Sequence, residues 1–204
     1  MNSKLIKTIK NFFPYIIWCI SYLSTITFFL IYGKTYLDAD MASEMVLANL
    51  LNKEGGLVST NWFYSSELRI IEQQAFFKLF LLLFPHNWHI ARTLTQALLL
   101  LLTSFSYVYM TSILMNKKRS ILFSSILLCP FGFWYMFHGT FGGFYLIHII
   151  SFMLCAGLLF RICLRPEHSL HRWLILGLLS MALGLQSVRF LMNLAFPLLL
   201  ASCF

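Results

Sequence analysis

The sequence is poor in charge: 11% of its 204 residues are Asp, Glu, Lys or Arg, and seven of these are acidic. A soluble domain carries about a quarter of its residues as charged groups, so a water-soluble globular fold is not expected. Cysteine is sparse as well. The five cysteines, Cys19, Cys129, Cys155, Cys163 and Cys203, are odd in number, lie in apolar segments and show no CxxC spacing, which argues against a disulfide framework or a zinc site. The sequence holds no Walker A loop, HExxH or GxSxG motif, so the familiar signatures of P-loop nucleotide, zincin and hydrolase chemistry are missing. The Gly139 to Gly143 turn follows no strand and lacks GxGxxG spacing; it reads as a tight interhelical turn. Although the net charge is +8, the basic residues punctuate apolar runs. They build no basic face with a stacking platform, so nucleic acid is not an expected partner.

What is present in quantity is apolar sequence, 59% hydrophobic residues with a mean hydropathy of +0.78. A bilayer core of about 30 Å needs about 20 apolar residues per helix. On that measure we expect an all-α polytopic bundle of about six spans, at about 12–33, 90–114, 120–137, 144–163, 173–188 and 190–204, in one transmembrane domain. Nine basic residues fall in three clusters, at Lys4/Lys7/Lys10, at 117–119 and at Arg161/Arg165/Arg172. The positive-inside bias then puts these clusters and the N-terminus in the cytoplasm of a multi-pass cell-membrane protein. The loop 34–89 is outside. It holds a helix from Met41 to Lys53 stopped by Gly55-Gly56, aromatic residues at Asn61-Trp62-Phe63-Tyr64 suited to an interface, and a second helix capped by Ser65 or Ser66 with Glu67 in its first turn. Ala75 to Phe84 is too short to cross and is divided by Lys78, so it is expected to lie in the outer surface. Pro197 stands inside the last apolar run and no polar or basic tail follows it, from which we expect the N-terminal part of a longer protein.

Six of the seven acidic residues lie between positions 38 and 72, and the chemistry is expected there. Asp38 and Asp40, just beyond the first span, can act as a general base and as oxygen ligands of a divalent ion such as Mg2+ or Mn2+. Asp40 also stands where the helix from Met41 needs its N-cap, whereas Asp38 has no such local role and is the candidate catalytic residue. Arg92, at the outer start of the second span, either binds phosphate or snorkels to the headgroups, and Arg189 sits in a polar break between the last two spans. His148, one to two turns into the fourth span, belongs toward the bundle interior, as an interhelical hydrogen-bonding group or as a substrate-binding one. The pairs His86/His89 and His168/His171 have HxxH spacing without a third ligand at hand.

A basic N-terminus, one span, an aspartate pair at the start of a large outer loop and then closely spaced spans resemble the C-type glycosyltransferase superfamily. The run Leu37-Asp38-Ala39-Asp40-Met41-Ala42-Ser43-Glu44, continued by Glu54-Gly55-Gly56 and Asn61 to Arg69, is similar to a group of bacterial membrane proteins of this architecture. The resemblance covers most of the chain, though members usually carry more spans. It implies sugar transfer from a polyprenyl-phosphate donor to a glycan, lipid or protein acceptor. By it, Asp38 matches the acidic base or orienter, Asp40 the second acid and metal-ligand candidate, and Arg69, Arg189 and His148 become candidates for substrate binding. A transporter or lipid-translocation component, and a truncated inactive membrane protein, remain the alternatives.

Overall fold

The structure is a computed structural model that describes residues 3–64, 70–129, 131–143, 145–165, 169–186 and 192. Among these the elements are helical, with no strand. They are α1 (Ser3–Tyr32), α2 (Ala39–Glu54), α3 (Gln73–Leu83), α4 (Trp88–Thr111), α5 (Lys117–Leu128), α6 (Phe133–Phe141), α7 (Leu146–Leu164) and α8 (Ser169–Gln186).

Length and composition let three segments cross a bilayer: Asn11–Tyr32 of α1, Trp88–Thr111 of α4 and Leu146–Leu164 of α7. These coincide with three of the expected spans. The expected third span is not one straight helix. It is divided into α5 and α6, which are bent by 91° to each other, so that a fourth crossing exists only if the bent pair counts as one. The residues Met136–Phe141 of α6 are wound as a π-helix, a rare geometry that often marks functional sites. They bury Gly139, Thr140 and Phe141 where a tight turn was expected. The expected fifth span is α8, whose apolar part, Leu170–Gly184, is shorter than the crossing helices. The expected sixth span falls outside the described residues apart from Met192.

Capping side chains set several boundaries. Asn87 accepts from the Ile90 N–H at 3.1 Å to start α4, and Asn116 accepts from the Lys118 N–H at 3.0 Å to start α5. Gly55, at φ 75°, ends α2 by giving its N–H to Leu51, a left-handed position that favours glycine. The expected helix start at Ser65 or Ser66 lies outside the described residues; residues 70–72 are turn or bend, and α3 begins at Gln73. The short α3 buries Phe77 and Leu81 and exposes Leu79, Leu82 and Leu83.

The helix α4 is the hub, packed on α1, α3, α5 and α7. The largest apolar cluster includes Leu99 and Leu100 of α4, Leu128 of α5 and Leu146, Ile150 and Cys155 of α7. Small polar groups link the helices between these apolar layers. The Trp18 Nε1–H donates to Ser104 Oγ at 2.5 Å, and the Ser104 hydroxyl donates to Ser124 Oγ at 2.9 Å, joining α1, α4 and α5. The Tyr22 hydroxyl donates to the Ala97 carbonyl at 2.9 Å, and the Thr25 hydroxyl donates to the Leu128 carbonyl at the end of α5. In lipid such bonds add to packing, because the apolar surface of a helix gains little by leaving acyl chains.

Contact between α4 and α7 is close where Gly157 faces Tyr109. A Cβ at 157 would lie 2.8 Å and 2.9 Å from two Tyr109 ring carbons and 3.0 Å from Met110 Cα, whereas one at Gly177 meets nothing within 4 Å. Gly157→Ala is therefore expected to cost about 1–3 kcal/mol through overpacking. Gly177→Ala should be neutral or stabilising by up to about 1 kcal/mol, through helix propensity. Thermal unfolding of the two variants in detergent checks this, and equal midpoints would count against the tight α4–α7 contact.

Candidate functional site

The polar groups gather at one end of the bundle, where α1 ends, α2, α3, α4 and α7 begin and α6 finishes. Arg92, one turn into α4, is 2% exposed. Its guanidinium donates to the Gly33 carbonyl at 3.3 Å, to the Phe141 carbonyl and to Met41 Sδ at 2.7 Å, and lies 5.2 Å from the centroid of the Phe29 ring. It therefore does not snorkel to headgroups. It is held inside the protein because it supplies donors to carbonyls at the ends of two other helices. Phe141 packs its ring against Tyr36, Phe29 and Phe28 at centroid distances of 4.8, 5.4 and 5.7 Å, which seats the end of α6 over the end of α1. Gly33 is required by close approach, since a Cβ there would sit 2.5 Å from the Phe29 carbonyl oxygen and 3.3 Å from the His89 ring.

Asp38 is the N-cap of α2, its Oδ1 accepting from the Met41 N–H at 2.7 Å. This corrects the sequence expectation, in which Asp40 was the cap and Asp38 had no local role. Asp40 lies in the first turn of α2 and is exposed, where its charge favours the helix dipole. The other oxygen of Asp38 makes no hydrogen bond among the described residues. Both Asp38 and buried Glu44 act on Arg92 as opposite charges.

Beside this group lies a second set that sequence reasoning missed. Gln73 and Gln74 open α3 and are buried, as is Gln96, four residues after Arg92 on the same face of α4. Gly143 has φ 69°, and a Cβ there would fall 2.5 Å from Gln96 Nε2, 2.7 Å from Gln96 Oε1 and 2.8 Å from Gln73 Oε1. The two glutamines thus close on a glycine that no larger residue can replace without strain. The side-chain oxygens of Gln73, Gln96 and Thr140, and Nε of Arg92, find no hydrogen-bond partner among the described residues. Buried polar atoms left in this way call for a water or a ligand group. The available signals were the paired glutamines ahead of an apolar run and an amide inside a span.

His148 faces the interior as expected, with Nε2 3.8 Å from Glu72 Oε1, the two side chains being 10% and 5% exposed. His89 Nε2 lies 2.8 Å from the Leu30 carbonyl, which ties α4 to α1 and does not bring His89 together with exposed His86. Arg69, Arg189 and His168 lie outside the described residues.

Among the described residues no three His, Cys, Asp or Glu side chains come together. Asp38 and Asp40 offer two carboxylates, one already spending an oxygen on a backbone N–H. A Mg2+ or Mn2+ ion held by this pair would take its remaining ligands from water or from a substrate phosphate. Around the site, the loop after α2 is anchored at both sides: Asn61 Nδ2–H donates to Glu54 Oε1 at 2.6 Å, and Lys78 Nζ donates to the Gly56 carbonyl at 2.6 Å. Hydrogen bonds from Asn61 and Ser59 hold the Glu54 carboxyl below its ordinary range, so this exposed group is ionised at neutral pH and a poor proton acceptor.

Two substitutions separate the roles at this end. Arg92→Gln leaves the Gly33 and Phe141 carbonyls short of donors and is expected to destabilise the fold by about 1.5–3 kcal/mol. Asp38→Ala should cost about 0.5–2 kcal/mol, and Asp38→Asn much less, because asparagine caps as well as aspartate. Unfolding midpoints in detergent measure all three, and a neutral Arg92→Gln would show that the buried guanidinium does not hold the helix ends together.

Comparison with protein-family models, with curated proteins and with solved structures found no match to this chain.

Proposed function

We propose that this chain is a multi-pass membrane protein that transfers a sugar from a polyprenyl-phosphate-linked donor at the outer face, with Asp38 as general base. The observation that carries the reading is the state of Asp38. One oxygen is fixed by the Met41 N–H, the other carries no hydrogen bond among the described residues, and the residue is half-buried at the rim of a buried polar cluster. A carboxylate so oriented has one oxygen in a set direction for a proton, as general-base catalysis needs.

In the proposed reaction the acceptor hydroxyl oxygen bonds to the anomeric carbon, the bond from that carbon to the lipid-phosphate oxygen breaks, and the hydroxyl proton passes to Asp38. The departing phosphate is an anion and calls for positive charge more than for a proton. Arg92 is not suited to this, since its donors are committed to Gly33, Phe141 and Met41. Arg69 and Arg189 are the proposed source. His148, beside Glu72, and the amides of Gln73 and Gln96 are proposed to bind donor or acceptor hydroxyls.

A second reading, binding and translocation of a polar cargo, draws support from the same buried oxygens of Gln73, Gln96 and Thr140, because sites at helix ends deep in a bundle are a transporter feature. Asp38→Asn distinguishes the two. It keeps the cap while removing the base, so sugar transfer from a polyprenyl-phosphate donor is expected to fall about 10²–10⁴-fold with insertion and unfolding midpoint unchanged. Turnover near that of the parent protein would remove the enzyme reading.

Orientation is a separate part of the proposal. The described basic residues Lys117, Lys118, Arg119, Arg161, Arg165 and Arg172 share the end of the bundle where α1 begins, as the 2.7 Å bond from Lys118 Nζ to Asn11 Oδ1 requires. The described acids Asp38, Asp40, Glu44, Glu54 and Glu72 are at the other end. We assign the basic end to the cytoplasm by the positive-inside bias. Single cysteines at 40 and 117, in a background without the native cysteines, should be labelled by an impermeant reagent from outside at 40 and only after permeabilisation at 117. The reverse pattern would invert the topology.

A further inference from the structure

Between Arg119 and Arg161 the sequence contains no Asp, Glu, Lys or Arg. A stretch of that composition does not suit bulk water, yet its first half is not a straight crossing helix. Helix α5 runs alongside α1: Lys118 Nζ donates to Asn11 Oδ1 at one end, and the Thr25 hydroxyl donates to the Leu128 carbonyl at the other. Thr25 stands seven residues before Tyr32, the last residue of α1, which is about 10 Å at the α-helical rise. Helix α5 therefore stops short of the level that α1 reaches, and α6 leaves it at 91°. At its far end α6 meets the last turns of α1, where Phe141 packs on Phe28 and Phe29.

A helix break at membrane depth is tolerated where the backbone groups it frees find partners inside the protein. Here they do. The Thr25 hydroxyl takes the Leu128 carbonyl, and the Tyr135 hydroxyl donates to the Leu127 carbonyl while its ring stacks on Phe131 at a centroid distance of 4.5 Å. With α5 upright beside α1, α6 lies across the bundle at the level of the last turns of α1. Its inner side buries Gly139, Thr140 and Phe141. Its outer side is aromatic: Phe131, just ahead of it, is 65% exposed, Phe133 57% and Trp134 70%, with Trp134 stacked on His138 at 5.4 Å. Tryptophan favours the headgroup level of a bilayer, and an apolar helix face set about 5–10 Å into the boundary of headgroups and acyl chains is the geometry of an interfacial helix. At the same level of α1, exposed Leu30 and Ile31 belong to a segment able to cross the bilayer, so lipid is the medium on this side.

We propose that α6 is an in-plane membrane anchor whose Phe131, Phe133 and Trp134 rings sit among the phospholipids of the leaflet on the side of the polar cluster, at the boundary between headgroups and acyl chains. Helices α5 and α6 then make one passage between the two sides, upright through most of the bilayer and flat at its edge. The arrangement sets the depth of the polar cluster. Thr140 and the Phe141 carbonyl, the latter engaged by Arg92 and Gln96, follow Trp134 in the same helix and so lie at headgroup level. The head of a lipid-borne ligand reaches them there without entering the acyl-chain core. The anchor rests neither on the proposed sugar transfer nor on which side of the membrane is outside.

The test places single nitroxide labels at positions 123, 126, 131, 133 and 134, all exposed, in the whole chain without its native cysteines, reconstituted into phosphatidylcholine vesicles. Depth is read from collision with oxygen and with a water-soluble nickel chelate. It is expected to shift toward the cluster side from 123 to 126 and then to level off, with 131, 133 and 134 at one depth about 5–10 Å inside the headgroup boundary. A depth that keeps changing through 134 would make α5 and α6 one tilted crossing. High nickel and low oxygen collision at 131 to 134 would put the rings in water, and protection from both reagents would put protein over them. Each of these results overturns the anchor. A second measurement keeps the native cysteines: the tryptophan emission lost in Trp134→Phe should be quenched more by lipids brominated near the headgroup than by lipids brominated near the chain end. Equal quenching, the reverse order or no quenching would also overturn it.

Discussion

The structure depends on one buried cation. Arg92 sits where α4 begins, almost out of reach of solvent, and three segments distant from it in sequence meet on it: the end of α1 through Gly33, the first turn of α2 through Met41 and the end of α6 through Phe141. A buried charge is costly unless its hydrogen bonds are made. That cost works in favour of a single arrangement, because any other placement of these helix ends would leave the guanidinium with fewer acceptors. The acids Asp38 and Glu44 complete the balance as opposite charges. Aromatic packing of Phe141 on Phe28, Phe29 and Tyr36 excludes water from the same place.

With the ends gathered in this way, the first two helices after α1 need not cross anything. The helix α2 buries Met41, Met45, Leu47, Ala48 and Leu51 on one face, packed chiefly on α3, and the same face carries buried Glu44, so its apolar stripe is broken. The shorter α3 packs between α2 and α4 and brings Glu72, Gln73 and Gln74 to the bundle. A polar cluster then forms among helix termini, where free backbone groups and side-chain amides share partners. Gly143 lets the backbone after α6 come within contact of two glutamines. At the opposite end Arg172 satisfies helix-end carbonyls, those of Arg161 and Arg165.

Membrane-like length and hydropathy are properties of a contiguous stretch, so α1, α4 and α7 were legible from residues alone, as were the terminators at Gly55 and the inward direction of His148. The misplacement of the α2 cap has a simple origin. Asp38 and Asp40 are both good capping residues two positions apart, and the choice between them was made by where the chain leaves Gly33 and Tyr36, not by local preference. The division of the expected third span into α5 and α6 has the same character. Its apolar composition suits a straight crossing, yet Thr25 of α1 takes up the Leu128 carbonyl and Arg92 takes up that of Phe141, so both helix ends are satisfied without continuation.

By itself, then, the sequence determined a helical chain, the positions of its longest apolar helices and the gathering of six of its seven acids away from the main basic clusters, because each of these follows from composition within a window of about 20 residues. Tertiary structure alone decided that Arg92 is interior and not at the headgroups, that Asp38 is fixed by its cap, that Gln73 and Gln96 meet on Gly143 and that Arg172 takes up the carbonyls of Arg161 and Arg165 at the far end. The physical reason is the reach of the interactions. The partners of Arg92 stand 49 to 59 residues away in the chain, and hydropathy carries no information about which distant carbonyl will be free to accept.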